Sequence, residues 1–110
     1  MAKRSNTVKI VVFVPEKDAD RVIDAMGKAG AGRIGNYTFC SFSTKGVGRF
    51  KPEKGALPKI GKVGKLEKVK EERIEMICER RKLKKVIAAI KRVHPYETPA
   101  VDVYPLLKGI

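Results

Sequence analysis

The sequence predicts an α+β protein with a ferredoxin-like βαββαβ sandwich, in which a four-stranded antiparallel sheet carries two helices on one face. Two observations support this prediction. Four segments show the two-residue alternation of strands, and two others show apolar residues at helical spacing. Their order along the chain is strand, helix, strand, strand, helix, strand, which is the order of the split βαβ fold. A chain of 110 residues has room for one such domain, residues 1–110.

The first strand and the first helix carry the strongest signals. In residues 8–14 (VKIVVFV), every residue except Lys9 is apolar, so we expect this strand to be covered on both faces. In residues 16–28, apolar side chains recur at positions i, i+3, i+4 and i+7, which is the pattern of an amphipathic helix. The chain therefore opens with a buried strand and a helix that packs against it.

Residues 30–35 (GAGRIG) match the dinucleotide-binding pattern G-x-G-x-x-G. In a dinucleotide site, these glycines follow a strand and open a helix, whose N-terminus faces the pyrophosphate. Here they follow a helix and precede a strand. We interpret the segment as a helix-to-strand turn.

The second half of the chain supplies the remaining elements. Alternation predicts strands over residues 37–43, 66–79 and 101–104, and the apolar stripe of residues 82–93 predicts the second helix. In the longest of these strands, Ile74, Met76 and Cys78 are expected to face the helices.

The side of the sheet away from the helices is also predicted to carry apolar residues. They are Val11, Phe13, Phe39 and Ile77. An apolar sheet face without a cover indicates a partner, and closed homo-oligomers are the common outcome. We therefore expect self-association.

Positive charge is concentrated in one part of the chain. The net charge is +13, and residues 49–92 hold most of the surplus. Such a surplus attracts nucleic acid, phosphorylated small molecules or anionic surfaces, but a solvated, lysine-rich surface is the alternative. Nucleic acid is the weaker interpretation, because aromatic residues are few and no ring-bearing motif of an RNA-binding sheet lies near the basic segment.

The sequence predicts a cytoplasmic protein without a membrane contact. No apolar run reaches the roughly 18 residues of a membrane span, and the first residues lack the apolar segment of a signal peptide. Cys40 and Cys78 lie inside apolar segments, and we expect both to be reduced, buried and inert.

Residues 46–65 form a long, glycine-rich, basic connection between the two middle strands. Long loops of this kind are usually functional or disordered. Glycine amides and positive side chains suit a phosphate or another small anion, although the segment lacks the residue order of a P-loop. The alternative is a loop that packs into an oligomer with solvated lysines. The candidate ligand-binding residues are Arg49, Lys51, Lys54, Lys59, Lys62 and Lys65.

The turn at residues 94–99 (HPYETP) is the second candidate. His94 and Glu97 are metal-ligand types, so a divalent metal is the one candidate cofactor, but zinc sites need three or four protein ligands. The competing interpretation is a structural turn that caps the second helix. Its residues are His94, Pro95, Tyr96, Glu97 and Pro99. No residue is predicted to be catalytic, because neither a Ser–His–acid set nor a carboxylate pair stands out.

Three segments resemble the inserted domain of the NIF-three-like metal-binding family. They are GAGRIGNYTFCSF (30–42), GVGRFKPEKGALPKIGKVGKLEKVKEERIE (46–75) and HPYETPAVDVYPL (94–106). That domain in turn resembles the CutA and PII signalling proteins. The resemblance implies a CutA/PII-like homotrimer whose sheets pack around its centre. It also implies that the loop between the second and third strands contacts ligands or partners, as it does in PII proteins.

The resemblance implies little catalysis. Full-length NIF-three-like proteins hold a dinuclear metal site in the domain that flanks the insertion, and some are classed as type 2 GTP cyclohydrolases. The metal ligands of that site have no matching positions in this chain. We therefore expect a stand-alone, non-catalytic module that binds a small anionic ligand, a metal or a protein partner. A nucleic-acid-binding protein is the alternative, and a small hydrolase-type enzyme is the third hypothesis.

Overall fold

The computed structural model describes residues 3–108, and the predicted order of elements is confirmed. A single 3₁₀ turn precedes each helix, at Glu16–Asp18 and Arg80–Lys82. The strands and helices are β1 (Lys3–Pro15), α1 (Ala19–Lys28), β2 (Phe42–Phe50), β3 (Glu67–Glu79), α2 (Leu83–Val93) and β4 (Ala100–Lys108).

The four strands form one antiparallel sheet in the order β2-β3-β1-β4. β1 is central, and its Val12 lies opposite Ile74 of β3 and Val101 of β4. This order places β2 and β4 at the two edges. The α+β, ferredoxin-like fold class is therefore confirmed.

Both helices pack on the same face of the sheet and bury one apolar core. The inward alternation predicted for β1 and β3 is confirmed, as are the apolar stripes of the two helices. The most fully buried members of the core are Val8, Ile10, Val12, Val14, Val22, Met26, Ile74, Met76, Val86 and Ile90.

The opposite face of the sheet is covered by charged side chains instead of a helix. Val11 has 0% exposure there, and Glu75 lies directly across from it. Glu75 accepts hydrogen bonds from Lys9 Nζ at 3.1 Å and from Arg73 Nε at 3.2 Å. The Arg73 guanidinium lies 5.6 Å from the centre of the Phe13 ring. The aliphatic stems of such side chains cover apolar surface while their charged ends remain in water.

The prediction of an apolar patch on this face, the open face of the sheet because no helix covers it, therefore needs correction. Val11 is buried within the protomer, and Phe13 and Ile77 are half-buried. Phe39 is not on the open face, because it lies on the helix side against Gly27 of α1, where a Cβ atom would overlap its ring. The patch is smaller and more polar than the alternation predicted.

The predicted second strand at residues 37–43 is wrong in position. β2 begins at Phe42, and the residues before it form a folded connection between α1 and β2. The Gly32 amide donates to the Ile77 carbonyl at 2.7 Å, and the Cys40 amide donates to the Gly32 carbonyl at 2.8 Å. Gly32 has φ +82°, and a Cβ atom there would overlap the Cys40 backbone, so the connection requires glycine.

The shift of β2 shortens the irregular loop. Residues 46–50 belong to β2, so the loop spans residues 51–66 and not 46–65. At the other edge, β4 continues past the predicted end at residue 104 and includes Pro105. Proline is tolerated there because an edge strand leaves amide positions without a ladder partner.

Within residues 3–108, neither helix is long and apolar enough to cross a membrane.

Replacement of Ile10 by alanine tests the core assignment. Ile10 is fully buried and Ile34 is 54% exposed, so they form a matched pair with the same side chain. We expect Ile10→Ala to lower the free energy of unfolding by about 2–5 kcal/mol, because it removes apolar contacts and leaves a cavity. Ile34→Ala is expected to change it by less than about 0.5 kcal/mol. Urea unfolding at one protein concentration measures both values, and equal losses would contradict the assignment.

Candidate functional site

A cavity of about 390 Å³ lies where the end of β2, the loop of residues 51–66 and the turn after α2 meet. Its apolar wall includes the rings of Phe13, Phe50 and Tyr96, and the side chains of Glu71 and Glu97 also line it. The two segments that the sequence singled out, the basic loop and the HPYETP turn, are therefore neighbours in the fold. They form one site.

Glu71 lies in the wall contributed by β3. Its residue exposure is 8%, and its Oε2 accepts a hydrogen bond of 2.7 Å from the Tyr96 hydroxyl. Gly48 of β2 also lines the cavity, and a Cβ atom there would overlap Glu71 Oε1. The missing side chain at Gly48 creates the space that the Glu71 carboxylate occupies.

Tyr96 is held as a neutral hydrogen-bond donor. Burial raises the pKa of its hydroxyl far above the ordinary value, and the hydrogen bond to Glu71 acts in the same direction. Its ring packs edge-on against Phe50, with centres 5.5 Å apart. Tyr96 thus connects the turn after α2 to β2 and β3.

His94 is buried at the end of α2, and both of its ring nitrogens are engaged. The Tyr96 amide donates to Nδ1 at 3.1 Å, so the ring proton lies on Nε2 and is donated to the Phe13 carbonyl at 2.8 Å. Burial lowers the pKa of His94, and this effect exceeds the opposite influence of the hydrogen bond to the Phe13 carbonyl and of the nearby carboxylates. A neutral imidazole therefore fastens the turn to β1.

Glu97 joins the turn to the loop. Its Oε1 accepts a hydrogen bond of 2.9 Å from the Leu57 amide, forty positions earlier in the chain. Glu97 therefore binds the backbone of the long loop, not the local amides expected for a helix cap. Pro95 and Pro99 flank the turn and restrict its backbone.

The metal hypothesis gains no support from this geometry. Residues 3–108 contain no group of three or more His, Cys, Asp or Glu side chains placed to hold a metal ion. The lone pair of His94 Nδ1 is occupied by the Tyr96 amide. A divalent metal at His94 and Glu97 stays a prediction.

The six predicted basic residues divide into two groups. Arg49, Lys51 and Lys59 line the cavity. The remaining three are exposed on the loop and do not line it: Lys54, Lys62 and Lys65. The structure therefore brings half of the predicted set to the site.

Glu71 is the site residue that the sequence reasoning missed. The sequence feature that points to Glu71 is the pair of glycines in the facing strand, because glycines within a strand often mark the close approach of another group. Gly46 lies directly opposite Glu71 in the sheet, and Gly48 is the next residue on the same face. Finding Glu71 required the strand register, which the misplaced β2 concealed.

The two cysteines differ. Cys78 is buried in the core, which confirms its predicted position, and burial raises the pKa of its thiol. For Cys40, the predicted core position is wrong, because it lies half-buried in the connection before β2.

No protein-family model matches the chain. It is 55% identical over 98 residues to a GTP cyclohydrolase 1 type 2 homolog of Halalkalibacterium halodurans, and 48% identical over 98 residues to that of Bacillus subtilis. Each match covers 89% of this chain and 26% of the relative. The chain is homologous to the inserted region of these NIF3-related proteins. It spans about a quarter of their length, and the predicted resemblance is confirmed.

Solved structures show the same relationship. A Bacillus cereus protein related to NIF3 matches with a TM-score of 0.80 and 47% identity, over 96% of this chain and 26% of that one. The CutA protein of Archaeoglobus fulgidus matches with a TM-score of 0.70 and 20% identity, over 94% and 87% of the two chains. The B. subtilis GlnK–ATP complex matches with a TM-score of 0.60 and 13% identity, over 91% and 81%. The CutA/PII-like fold of the NIF3-related region is thereby confirmed.

The buried neutral His94 predicts a loss of stability in mild acid. Its folded pKa lies below the ordinary value of 6.5, so the unfolded chain binds more protons as the pH falls through 6.5. The stabilisation is complete above that pH and decreases below it. We expect the melting temperature of the wild type to decrease when the pH is lowered from about 7.5 to about 5.5.

His94→Gln provides the control, because the chain has a single histidine. This variant is expected to melt lower at about pH 7.5 but to lack the part of the pH dependence that His94 causes. Ring-proton NMR of the wild type measures the pKa directly. A pKa at or above 6.5 in the folded protein would contradict the neutral, buried assignment.

Proposed function

We propose that this chain is a non-catalytic, oligomeric module of the NIF3-related type whose cavity receives a small ligand with an anionic group. The observation that carries the proposal is the cavity of about 390 Å³ that the loop and the turn enclose, with Arg49, Lys51 and Lys59 among its lining residues. Its volume lies in the range typical of small-molecule sites.

The loop at this cavity is held in place before any ligand arrives. The Leu57 amide bonds to Glu97, the Gly64 amide donates to the Pro52 carbonyl at 2.7 Å, and the Ala56 amide donates to the Glu53 carbonyl at 3.0 Å. Binding to a preformed loop avoids the entropic cost of ordering it. This favours a ligand-binding role for a loop that could otherwise be a passive connection.

Positive charge favours an anionic group at the margin of the site. Lys51 has only a long contact of 4.0 Å with Glu53, and no ion pair of Lys59 is formed within residues 3–108. Both ammonium groups are free to meet a ligand. The GlnK structure with the same fold was solved with ATP, which makes ATP a rational anionic probe for this chain.

The hydrogen bonds of Tyr96, in the cavity wall, and of His94, at the end of α2, favour binding over catalysis. The Tyr96 hydroxyl is committed to Glu71, and His94 Nε2 is committed to a backbone carbonyl. A general acid or base must release or accept a proton at a substrate, whereas these protons are held within the fold.

The surface area supports a homo-oligomer, and the CutA/PII resemblance favours a trimer. The chain exposes 7600 Å², whereas a compact monomer of 12.2 kDa exposes about 6,100 Å². The excess of about 1,500 Å² is close to the area that two standard interfaces remove from one subunit of a ring. On the open face of the sheet, Phe42 and Tyr104 are exposed at the two edges and fit such interfaces.

Titration with ATP tests the ligand proposal. We expect saturable binding that is weakened at least about tenfold by Lys51→Ala with Lys59→Ala, because two contacts to the anion are lost. The matched control is Lys84→Ala with Lys85→Ala, which removes the same charge from the exposed surface of α2. Isothermal calorimetry measures both affinities. Equal losses in the two double variants would show non-specific attraction and contradict the proposal.

Sedimentation velocity tests the assembly. The wild type is expected to sediment as a trimer of 12.2 kDa subunits. Phe42→Asp with Tyr104→Asp is expected to dissociate it, because each interface would bury unpaired charges. Leu57→Asp is the control, since Leu57 is exposed on the loop. A monomeric wild type would rule out the oligomer.

Nucleic-acid binding is the second candidate, and the charge of α2 favours it. The helix contains no acidic residue, and Lys84, Lys85, Lys91 and Arg92 are all exposed. Binding of this type should weaken steeply with salt, because phosphate contacts release counterions. The affinity for a nucleic-acid duplex would be measured against salt concentration and in the variant with Lys84→Ala and Lys85→Ala. A steep decrease with salt and a loss of affinity in this variant would favour nucleic-acid binding over binding of a small ligand in the cavity.

A further inference from the structure

Glu71 is a buried carboxylate without a cationic partner in the described part of the chain. Its residue exposure is 8%, and no Lys or Arg in residues 3–108 forms a salt bridge with it. Tyr96 is the one side chain in that range that donates to it, and the bond goes to Oε2. Buried carboxylates are normally paired or fully hydrogen-bonded. Oε1, beside Gly48 in the cavity wall, accepts no hydrogen bond from residues 3–108, and it is not fully enclosed.

The surroundings of Glu71 are aromatic. Phe13, Phe50 and Tyr96 line the same cavity, and the last two rings contact each other edge-on. Aromatic faces attract cations, and planar guanidinium groups also stack on them. A carboxylate within a cavity that has aromatic walls is therefore suited to a planar cation.

We propose that the ligand of this cavity is dipolar: a guanidinium or amidinium group binds Glu71 at its buried end, and an anionic group meets Lys51 and Lys59. This inference rests on the proposed ligand-binding function and specifies the ligand class. The planar cation donates N–H groups to Oε1 and lies against the aromatic rings. The anionic end of the ligand is neutralised by Lys51 and Lys59, which belong to the cavity lining.

Other ligand types fit the same groups less well. A ligand with an anionic group at both ends would meet repulsion from Glu71. A neutral apolar ligand would fill the space and leave the carboxylate desolvated and unpaired. A simple ammonium would pair with Glu71 but could not stack as a plane on the rings. The planar cation satisfies the charge, the free oxygen and the ring faces together.

Three small probes separate the two ends of the ligand. 4-Guanidinobutyrate carries both charged ends, butylguanidine carries only the cation, and butyrate carries only the anion. We expect 4-guanidinobutyrate to bind the wild type at least about tenfold more tightly than butyrate, because the charge-assisted bonds to Glu71 are added. Amide NMR shifts of Gly48, Glu71 and Tyr96 are expected to move saturably with both guanidino probes.

Glu71→Gln tests the named residue, and Glu79→Gln at the far end of β3 is its matched control. Glu71→Gln is expected to weaken both guanidino probes at least about tenfold and to leave butyrate unchanged, because the ionic bond is removed. Glu79→Gln should leave the affinities for all three probes unchanged. Circular dichroism establishes that each variant folds, and the wild-type probe series decides the question without any variant.

Two results would overturn the inference. One is an absence of saturable shifts around Glu71 with the guanidino probes. The other is binding of 4-guanidinobutyrate no tighter than that of butyrate. If ATP binding that depends on Lys51 and Lys59 persists in either case, the proposed function stands and only the dipolar ligand falls. If neither ATP nor any probe binds at this cavity, both proposals fall.

Discussion

The hydrogen bond between Tyr96 and Glu71 is the contact on which the candidate site depends. It spans 2.7 Å and connects the turn after α2 to β3 across the end of the sheet. His94 places that turn by bonding to the backbone of β1, and Glu97 attaches the long loop to it. The cavity exists because these bonds hold three separate segments around a carboxylate that the sheet has already placed. Since the carboxylate is buried, loss of its hydroxyl partner would leave a polar atom unsatisfied, which is costly at low dielectric.

Local periodicity was sufficient for most of the fold. β1, β3 and both helices follow from alternation and helical spacing, because most of their apolar residues face one core. β2 did not follow, since the alternating aromatic run before it suggests a strand, whereas hydrogen bonds around Gly32 fold it into a connection. The strand itself contains two glycines, which weaken its strand signal, and it is defined by pairing with β3.

The candidate site was predictable only in part. Proline, glycine and charge marked the loop and the turn, and those signals are local. The contribution of Glu71 was hidden, because an acidic residue in a charged strand normally faces water. Only the register of β2 against β3 shows that two glycines face it. The homology to NIF3-related proteins covers 26% of their length, so it establishes what this region is while leaving the ligand to the chemistry of the cavity.

The glycines of β2 have a mechanical consequence. Gly46 and Gly48 remove two cross-strand side-chain pairs from the open face of this edge strand, and such pairs supply much of the cohesion of a sheet. That end of β2 is held to β3 mainly through its backbone, so it is a place where the sheet can open locally at low free-energy cost. A molecule seated between Glu71 and the loop would close that seam. Occupancy of the cavity would then stiffen this edge of the sheet.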